Sequence, residues 1–115
     1  MNEGLDKGDI YQQLPLSLLG TLDEIFGRIS NLGFTATCNL IEKNYSLTPQ
    51  NDSNSTYFKR RKQKDSEITL EELKNKSSVY LYNKIRMLND PYPNAYIKTS
   101  DGKKLYLLNA KVSKN

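Results

Sequence analysis

Few of the 115 residues are of the types that do acid–base or nucleophilic chemistry near neutral pH. There is no histidine and a single cysteine, Cys38. The commonest general base at that pH is therefore missing, and a structural zinc site cannot be assembled from one thiol and no imidazole. No carboxylate, lysine, tyrosine or thiol is spaced as a nucleophile beside its own base. What remains is a turn-forming string, Gly4-Leu5-Asp6-Lys7-Gly8-Asp9, and an aromatic-basic stretch, Tyr57-Phe58-Lys59-Arg60-Arg61-Lys62. Read by itself, Asp6 is a turn aspartate bonding its own backbone. The basic stretch has two readings. Lys59, Arg60 and Arg61 can hold a phosphate or pyrophosphate through charge-assisted bonds, with Tyr57 or Phe58 stacked on a base. Alternatively they form a solvated loop, balanced by the nearby Asp65 and Glu67.

Composition sets outer limits on these readings. The net charge of +4 (17 basic, 13 acidic residues) permits an anionic partner without demanding one. One cysteine cannot form an internal disulfide, which favours a reducing compartment. No apolar run approaches the ~20 residues needed to span a bilayer, and no basic segment precedes an apolar one as in a signal peptide. A cytoplasmic protein with no membrane contact and no metal is expected.

The elements that must position these groups follow from pattern. Residues 1–9 read as a loop. Ile10 to Leu19 is an extended apolar segment interrupted by Pro15, suited to an edge strand or a strand-loop-strand. Thr21 and Glu24 then form a capping box. Behind it Leu22, Ile25, Phe26, Ile29, Leu32, Ala36, Leu40 and Ile41 recur at helical spacing as far as about Asn44. Gly27 and Gly33 weaken this helix, and one of them is expected at a kink or a close contact. Asn, Ser, Thr and Asp fill residues 44–56, a surface linker. Thr69 and Glu72 make a second capping box. Leu81, Ile85 and Leu88 stripe a helix from Ser78 to Asn89 that Asp90-Pro91 stops. The tail is a hairpin, Ala95 to Thr99 and Lys104 to Val112, turning at Asp101-Gly102. Its Tyr96, Leu105 and Leu107 are expected in packing or a dimer contact, and Lys103, Lys104 and Lys111 at a protected edge. The fold class is α+β. No second parallel strand follows the long helix, whose apolar face is too large for one strand pair and a hairpin to cover. Either the chain dimerises or the helix packs on a sheet that these residues do not contain.

Three stretches in order carry a family resemblance: Met1-Asn2-Glu3-Gly4-Leu5-Asp6-Lys7-Gly8-Asp9-Ile10; Thr56-Tyr57-Phe58-Lys59-Arg60-Arg61 followed by Asp65-Ser66-Glu67-Ile68; and Ile85-Arg86-Met87-Leu88-Asn89-Asp90-Pro91-Tyr92-Pro93-Asn94-Ala95. Together they resemble the second half of the folate-dependent formyltransferases, the methionyl-tRNA and sugar-nucleotide N-formyltransferase family. The resemblance implies transfer of a formyl group from 10-formyltetrahydrofolate to an amine. In the family an Asn, a His and an Asp surround the reacting carbon. Asp6 falls on that Asp, and Asn2, Glu3, Gly4 and Leu5 with Asp6 on the loop lining the folate pocket. Tyr57, Lys59, Arg60 and Arg61 are the implied substrate contacts. The Asn and His partners are expected upstream of Met1, so the chain alone is expected to be an inactive C-terminal portion. Residues 1–50 would be the remnant of the Rossmann-like catalytic domain, 51–68 a basic linker, and 69–115 a small helix-hairpin subdomain.

Methionyl-tRNA enzymes of the family carry a C-terminal five-stranded barrel, which one principal helix and one hairpin after Thr69 cannot supply. With the Asp-Pro-Tyr-Pro-Asn-Ala string and the mild charge, this favours the sugar-nucleotide branch, with an amino-sugar nucleotide as substrate and nucleic acid an unlikely partner. The alternatives are a methionyl-tRNA formyltransferase fragment, a dimerisation or binding module that keeps the fold without catalysis, and a small nucleic-acid-binding domain using residues 57 to 64. A homodimer or a missing N-terminal half is the expected partner.

Overall fold

The computed structural model describes residues 7–42, 46–51, 53 and 55–113. The chain divides into two compact units, one of Met1–Leu19 with Asp23–Phe58 and the other of Gly20–Leu22 with Lys59–Asn115.

The first unit is built around a long helix, α1 (Leu22–Glu42), whose opening residue lies in the second unit. It begins directly after Thr21, with Asp23 and Glu24 in its first turn, where carboxylates favour the positive end of the helix dipole. Thr35 and Thr37 donate their hydroxyls to the carbonyls of Asn31 and Gly33, at 3.0 and 2.8 Å, which keeps these polar side chains on the helix without an outside partner. Of the edge strand expected over Ile10–Leu19, one antiparallel bridge forms, between Ile10 and Thr48, with N···O distances of 2.7 and 2.9 Å. No described segment lies alongside the rest to extend a ladder, and Pro15 has no N–H to give one. The segment is instead tied down by side chains. Arg28 on α1 donates to the carbonyls of Ser17 (3.0 Å) and Leu19, and the Gln50 amide donates to the Gly8 carbonyl at 2.6 Å.

Neither glycine of α1 behaves as expected. The helix runs its 21 residues unbroken, and a methyl group added at Gly27 or Gly33 would meet no heavy atom within 4 Å. Gly27 is exposed. Gly27→Ala should therefore stabilise the chain by about 0.8 kcal/mol, by removing unfolded-state freedom without a clash. A midpoint shift in urea denaturation with an unchanged slope checks this.

The second unit contains a single 3-10 turn (Gln63–Ser66), α2 (Leu70–Asn75), α3 (Ser78–Arg86) and an antiparallel hairpin of β1 (Ala95–Lys98) and β2 (Lys104–Leu107). The capping box of α2 forms as its sequence implies. Thr69 Oγ1 accepts from the Glu72 N–H at 3.1 Å, and the Glu72 carboxylate accepts from the Thr69 N–H at 3.1 Å. Ser77, the residue before the expected helix start, caps α3 by accepting from the Tyr80 N–H at 3.2 Å. Helix α3 closes at Arg86, and the chain turns through Asn89–Tyr92 into β1, with the Asp90–Pro91 peptide cis.

The hairpin register pairs Ala95 with Leu107 and Lys98 with Lys104, so both strands are shorter than their β-prone runs. Its turn is a five-residue loop, closed by Thr99 N–H to the Lys103 carbonyl at 3.0 Å. Gly102 in this loop has φ +78°, a conformation that suits glycine. The Asp101 carboxylate accepts from the Thr99 hydroxyl and the Lys103 N–H, which lowers its pKa, the hydroxyl bond first.

The core of this unit is small: Ile68, Ile85, Leu88 and Ala95 are buried, with Leu81, Ile97, Leu107 and Ala110 packed against them. Residues 59–68, expected as the end of a basic linker, contribute Ser66 and Ile68 to that interior. Glu67 and Tyr96 form a parallel bridge, in which Ile68 N–H donates to the Tyr96 carbonyl at 2.8 Å, and Ser66 Oγ donates to the Pro93 carbonyl at 3.0 Å. These bonds fasten the approach segment to the far side of β1 from β2. Tyr96, expected in packing, is buried against this edge with its ring 6.1 Å from that of Tyr106. Leu107 joins the core margin, whereas Leu105 stays exposed. Lys104 lies 4.5 Å over the Tyr96 ring, a cation–π contact.

Candidate functional site

Asn2, Glu3, Gly4, Leu5 and Asp6, the candidate folate loop and catalytic aspartate, lie outside the described residues. Among the described residues no group of three or more acidic or thiol side chains could hold a metal ion. None of the described helices is long and apolar enough to cross a membrane.

The substrate candidates are Tyr57 at the end of the first unit and Lys59, Arg60 and Arg61 at the start of the second. All four are exposed, Tyr57 at 88%. The carboxylates expected to balance the three cations are engaged elsewhere. Asp65 folds back on its own turn, accepting from the Lys62 N–H at 2.7 Å. Glu67 pairs with Lys98 at 2.8 Å and accepts from the Tyr96 hydroxyl at 3.4 Å. Lys98 is held above its usual pKa by the Glu67 hydrogen bond and charge. The solvated-loop reading thus loses its counter-charges: Lys59, Arg60 and Arg61 pair with no carboxylate among the described residues. Three adjacent unpaired cations suit an anionic ligand.

One half-buried polar node was not legible in the sequence. Lys84, in the last turn of α3, places its ammonium 2.8 and 2.9 Å from the two Glu72 carboxylate oxygens and 2.6 Å from the Glu67 carbonyl. The Tyr80 hydroxyl adds a longer contact to Glu72, at 3.4 Å. Burial pushes the Glu72 carboxyl up. The Lys84 hydrogen bond, the Thr69 N–H, the Lys84 charge and the Tyr80 hydroxyl together outweigh it, so the net shift is downward. With every donor of Lys84 directed at an oxygen, the node holds α2, α3 and the approach segment together and offers no free base. Arg86 is similarly engaged, donating to Asn83 Oδ1 and the Gly20 carbonyl at 2.7 Å each and lying over the Tyr82 ring. A signal for the Lys84 node was present: two short helices joined through Lys76-Ser77 must fold back on each other, which brings the cationic end of α3 toward the acidic start of α2.

No protein-family model and no curated protein matches the sequence. Among solved structures the chain is similar to a methionyl-tRNA formyltransferase from Clostridium thermocellum, at 32% identity and a TM-score of 0.74, over 92% of this chain. That likeness supports the formyltransferase family. The chain spans about half, 51%, of the length of the formyltransferase it matches. Its α+β architecture, a long helix followed by short helices and an antiparallel hairpin, is that of a C-terminal portion of a formyltransferase.

Proposed function

We propose that the chain is the aspartate-bearing part of a formyltransferase that moves a formyl group from 10-formyltetrahydrofolate to a primary amine. The observation that carries this reading is the 32% identity to a formyltransferase over nearly the whole chain. It is joined by the Gly-Leu-Asp-Lys-Gly-Asp string that resembles the family's aspartate loop. Asp6 would orient and charge-stabilise the histidine that manages protons, while an asparagine donates to the developing oxyanion. With no histidine among its residues, the chain must receive that group from elsewhere. Asn2 to Asp6 would line the folate pocket.

The acceptor we infer is an amino-sugar nucleotide. Lys59, Arg60 and Arg61 would take the pyrophosphate and Tyr57 the base, and the Asp-Pro-Tyr-Pro-Asn-Ala string resembles the sugar-nucleotide branch. A second acceptor, methionyl-tRNA, is favoured by the name of the solved relative. Both place phosphates on the same free cations, and salt dependence separates them. Replacing Lys59, Arg60 and Arg61 together by Gln should weaken a nucleotide-linked amino sugar about 10- to 100-fold, at any fixed salt concentration. For tRNA the same change should lower the slope of log affinity against log salt by about one for each lost phosphate contact. The 115-residue chain by itself is expected to show no formyl transfer to either acceptor. Turnover above background in a purified sample would contradict that.

A further inference from the structure

Residues 44–56 have the composition of a surface linker, yet part of this stretch closes on the turn-forming string at the head of the chain. Ile10 and Thr48 exchange both backbone hydrogen bonds, at 2.7 and 2.9 Å. In an antiparallel ladder the next such pair lies two residues along each strand, at Gly8 and Gln50. There a side chain takes the place of the backbone: Gln50 Nε2 donates to the Gly8 carbonyl at 2.6 Å. The neighbours of Gln50 suit this arrangement. Pro49 steers Thr48 away from the helical region toward the extended conformation that the bridge needs. The N–H that Pro49 lacks falls at the rung between the two pairs, where it would point away from the Gly8–Ile10 side. Asn51 Oδ1 then accepts from the Ser53 N–H at 3.0 Å, an Asx turn that ends the extended run. All of these residues belong to the first unit.

Gly8 stands two residues after Asp6 in the sequence. Two peptide units reach at most about 7 Å, so a fixed Gly8 bounds the excursion open to Asp6. Glycines at positions 4 and 8 otherwise give this string wide backbone freedom. A carboxylate that orients a histidine has to be held to about 0.5 Å, and a displacement of about 1 Å costs on the order of 100-fold in rate. The Ile10–Thr48 bridge has already closed the long loop between the two segments, so the Gln50 bond adds little closure entropy. Gln50 is exposed, and water competes for its amide. Its contribution to overall stability is therefore small, and its effect is local. We propose that Gln50 is a positioning residue for formyl transfer, whose amide holds the Gly8 carbonyl and with it the exit of the aspartate loop. This rests on the reading of Asp6 as the histidine's partner, while the clasp itself rests on the hydrogen bonds.

In the 115-residue chain, Gln50→Ala should speed amide hydrogen exchange at Ile10 and Thr48 about 10-fold, read by NMR, and leave Leu81 and Ile97 of the second unit unchanged. Gln50→Glu keeps the shape but turns an acceptor toward the Gly8 carbonyl, and should do the same. In a formyltransferase that carries these residues, both variants should lower kcat for transfer from labelled 10-formyltetrahydrofolate about 10- to 100-fold. The KM for acceptor should move less than about 3-fold. In an Asp6→Asn background, Gln50→Ala should lower kcat less than about 3-fold, because a group that acts through Asp6 has nothing left to position. A side chain that serves stability alone behaves otherwise: its loss costs the same in both backgrounds, and Gly27→Ala restores the rate. That result would overturn the proposal, as would exchange at Ile10 and Thr48 that Gln50→Ala leaves unchanged. Turnover unaffected by Asp6→Asn would instead bring down the reading of Asp6, and the role of Gln50 with it, while the exchange rates still report the clasp.

Discussion

Asp6→Asn, in a formyltransferase that carries these residues, should lower formyl transfer by about 10³- to 10⁴-fold while leaving the fold intact. An aspartate that fixes a histidine's tautomer and stabilises its charge gives losses of this order when it is made neutral and isosteric. The effect should lie in kcat, because the proposed interaction strengthens only as the histidine takes up its proton, and the KM for acceptor should move little. A turn aspartate bonding its own backbone would behave differently: asparagine makes nearly the same turn bonds, so turnover would fall less than about 10-fold. Steady-state rates with labelled donor separate the two roles for Asp6.

Lys84→Met should destabilise the second unit by about 2–3 kcal/mol. The ammonium is 10% exposed and the Glu72 carboxylate 21%, so loss of the cation leaves a half-buried carboxylate and the Glu67 carbonyl short of a donor. Methionine keeps most of the length of the side chain, which confines the loss to charge and hydrogen bonding. The same node predicts a pH dependence. The Glu72 carboxyl is held below its ordinary value of 4.5, so the folded state binds its proton less readily than the unfolded chain. Its stabilising contribution is therefore fully present above that ordinary value and is lost as pH falls through the lowered folded value. Urea midpoints measured from pH 7 to pH 3 should fall for the parent chain and fall less for Lys84→Met. Equal slopes for the two proteins would remove Lys84 as the cause.

Local signals carried most of the second unit. Thr69 and Glu72 are three residues apart before an apolar position, and they form the capping box that this spacing implies. Leu81 and Ile85 turn their stripe to Ala95, as helical periodicity requires, whereas Leu88 reaches the same core from the turn after α3, which ends three residues before the expected Asn89. The hairpin was legible in Asp101-Gly102, but its loop was not. The Thr99 hydroxyl and the Lys103 N–H both reach the Asp101 carboxylate, and this widens a two-residue turn to five. What sequence could not give was the pairing of distant groups. Asp65 and Glu67 stand near the basic stretch in sequence, yet the 3-10 turn folds Asp65 onto Lys62, and the bridge to Tyr96 carries Glu67 to Lys98. Ile10–Leu19 has the composition of a strand, but a ladder also needs a neighbour, and among the described residues only Thr48 supplies one. For the candidate site, the three cations were legible as a cluster. Their freedom from counter-charges emerged only when the carboxylates were seen to be occupied.

The measurement that bears most directly on the central reading is formyl transfer from labelled 10-formyltetrahydrofolate to an amino-sugar nucleotide and to methionyl-tRNA. It should be made with this chain alone, with a complementary half made from the part of the Clostridium thermocellum enzyme that the match leaves uncovered, and with both together. Product is expected on one of the two acceptors only when both polypeptides are present. Product from the complementary half alone at the same rate, or none from the intact complex on either acceptor, would contradict it.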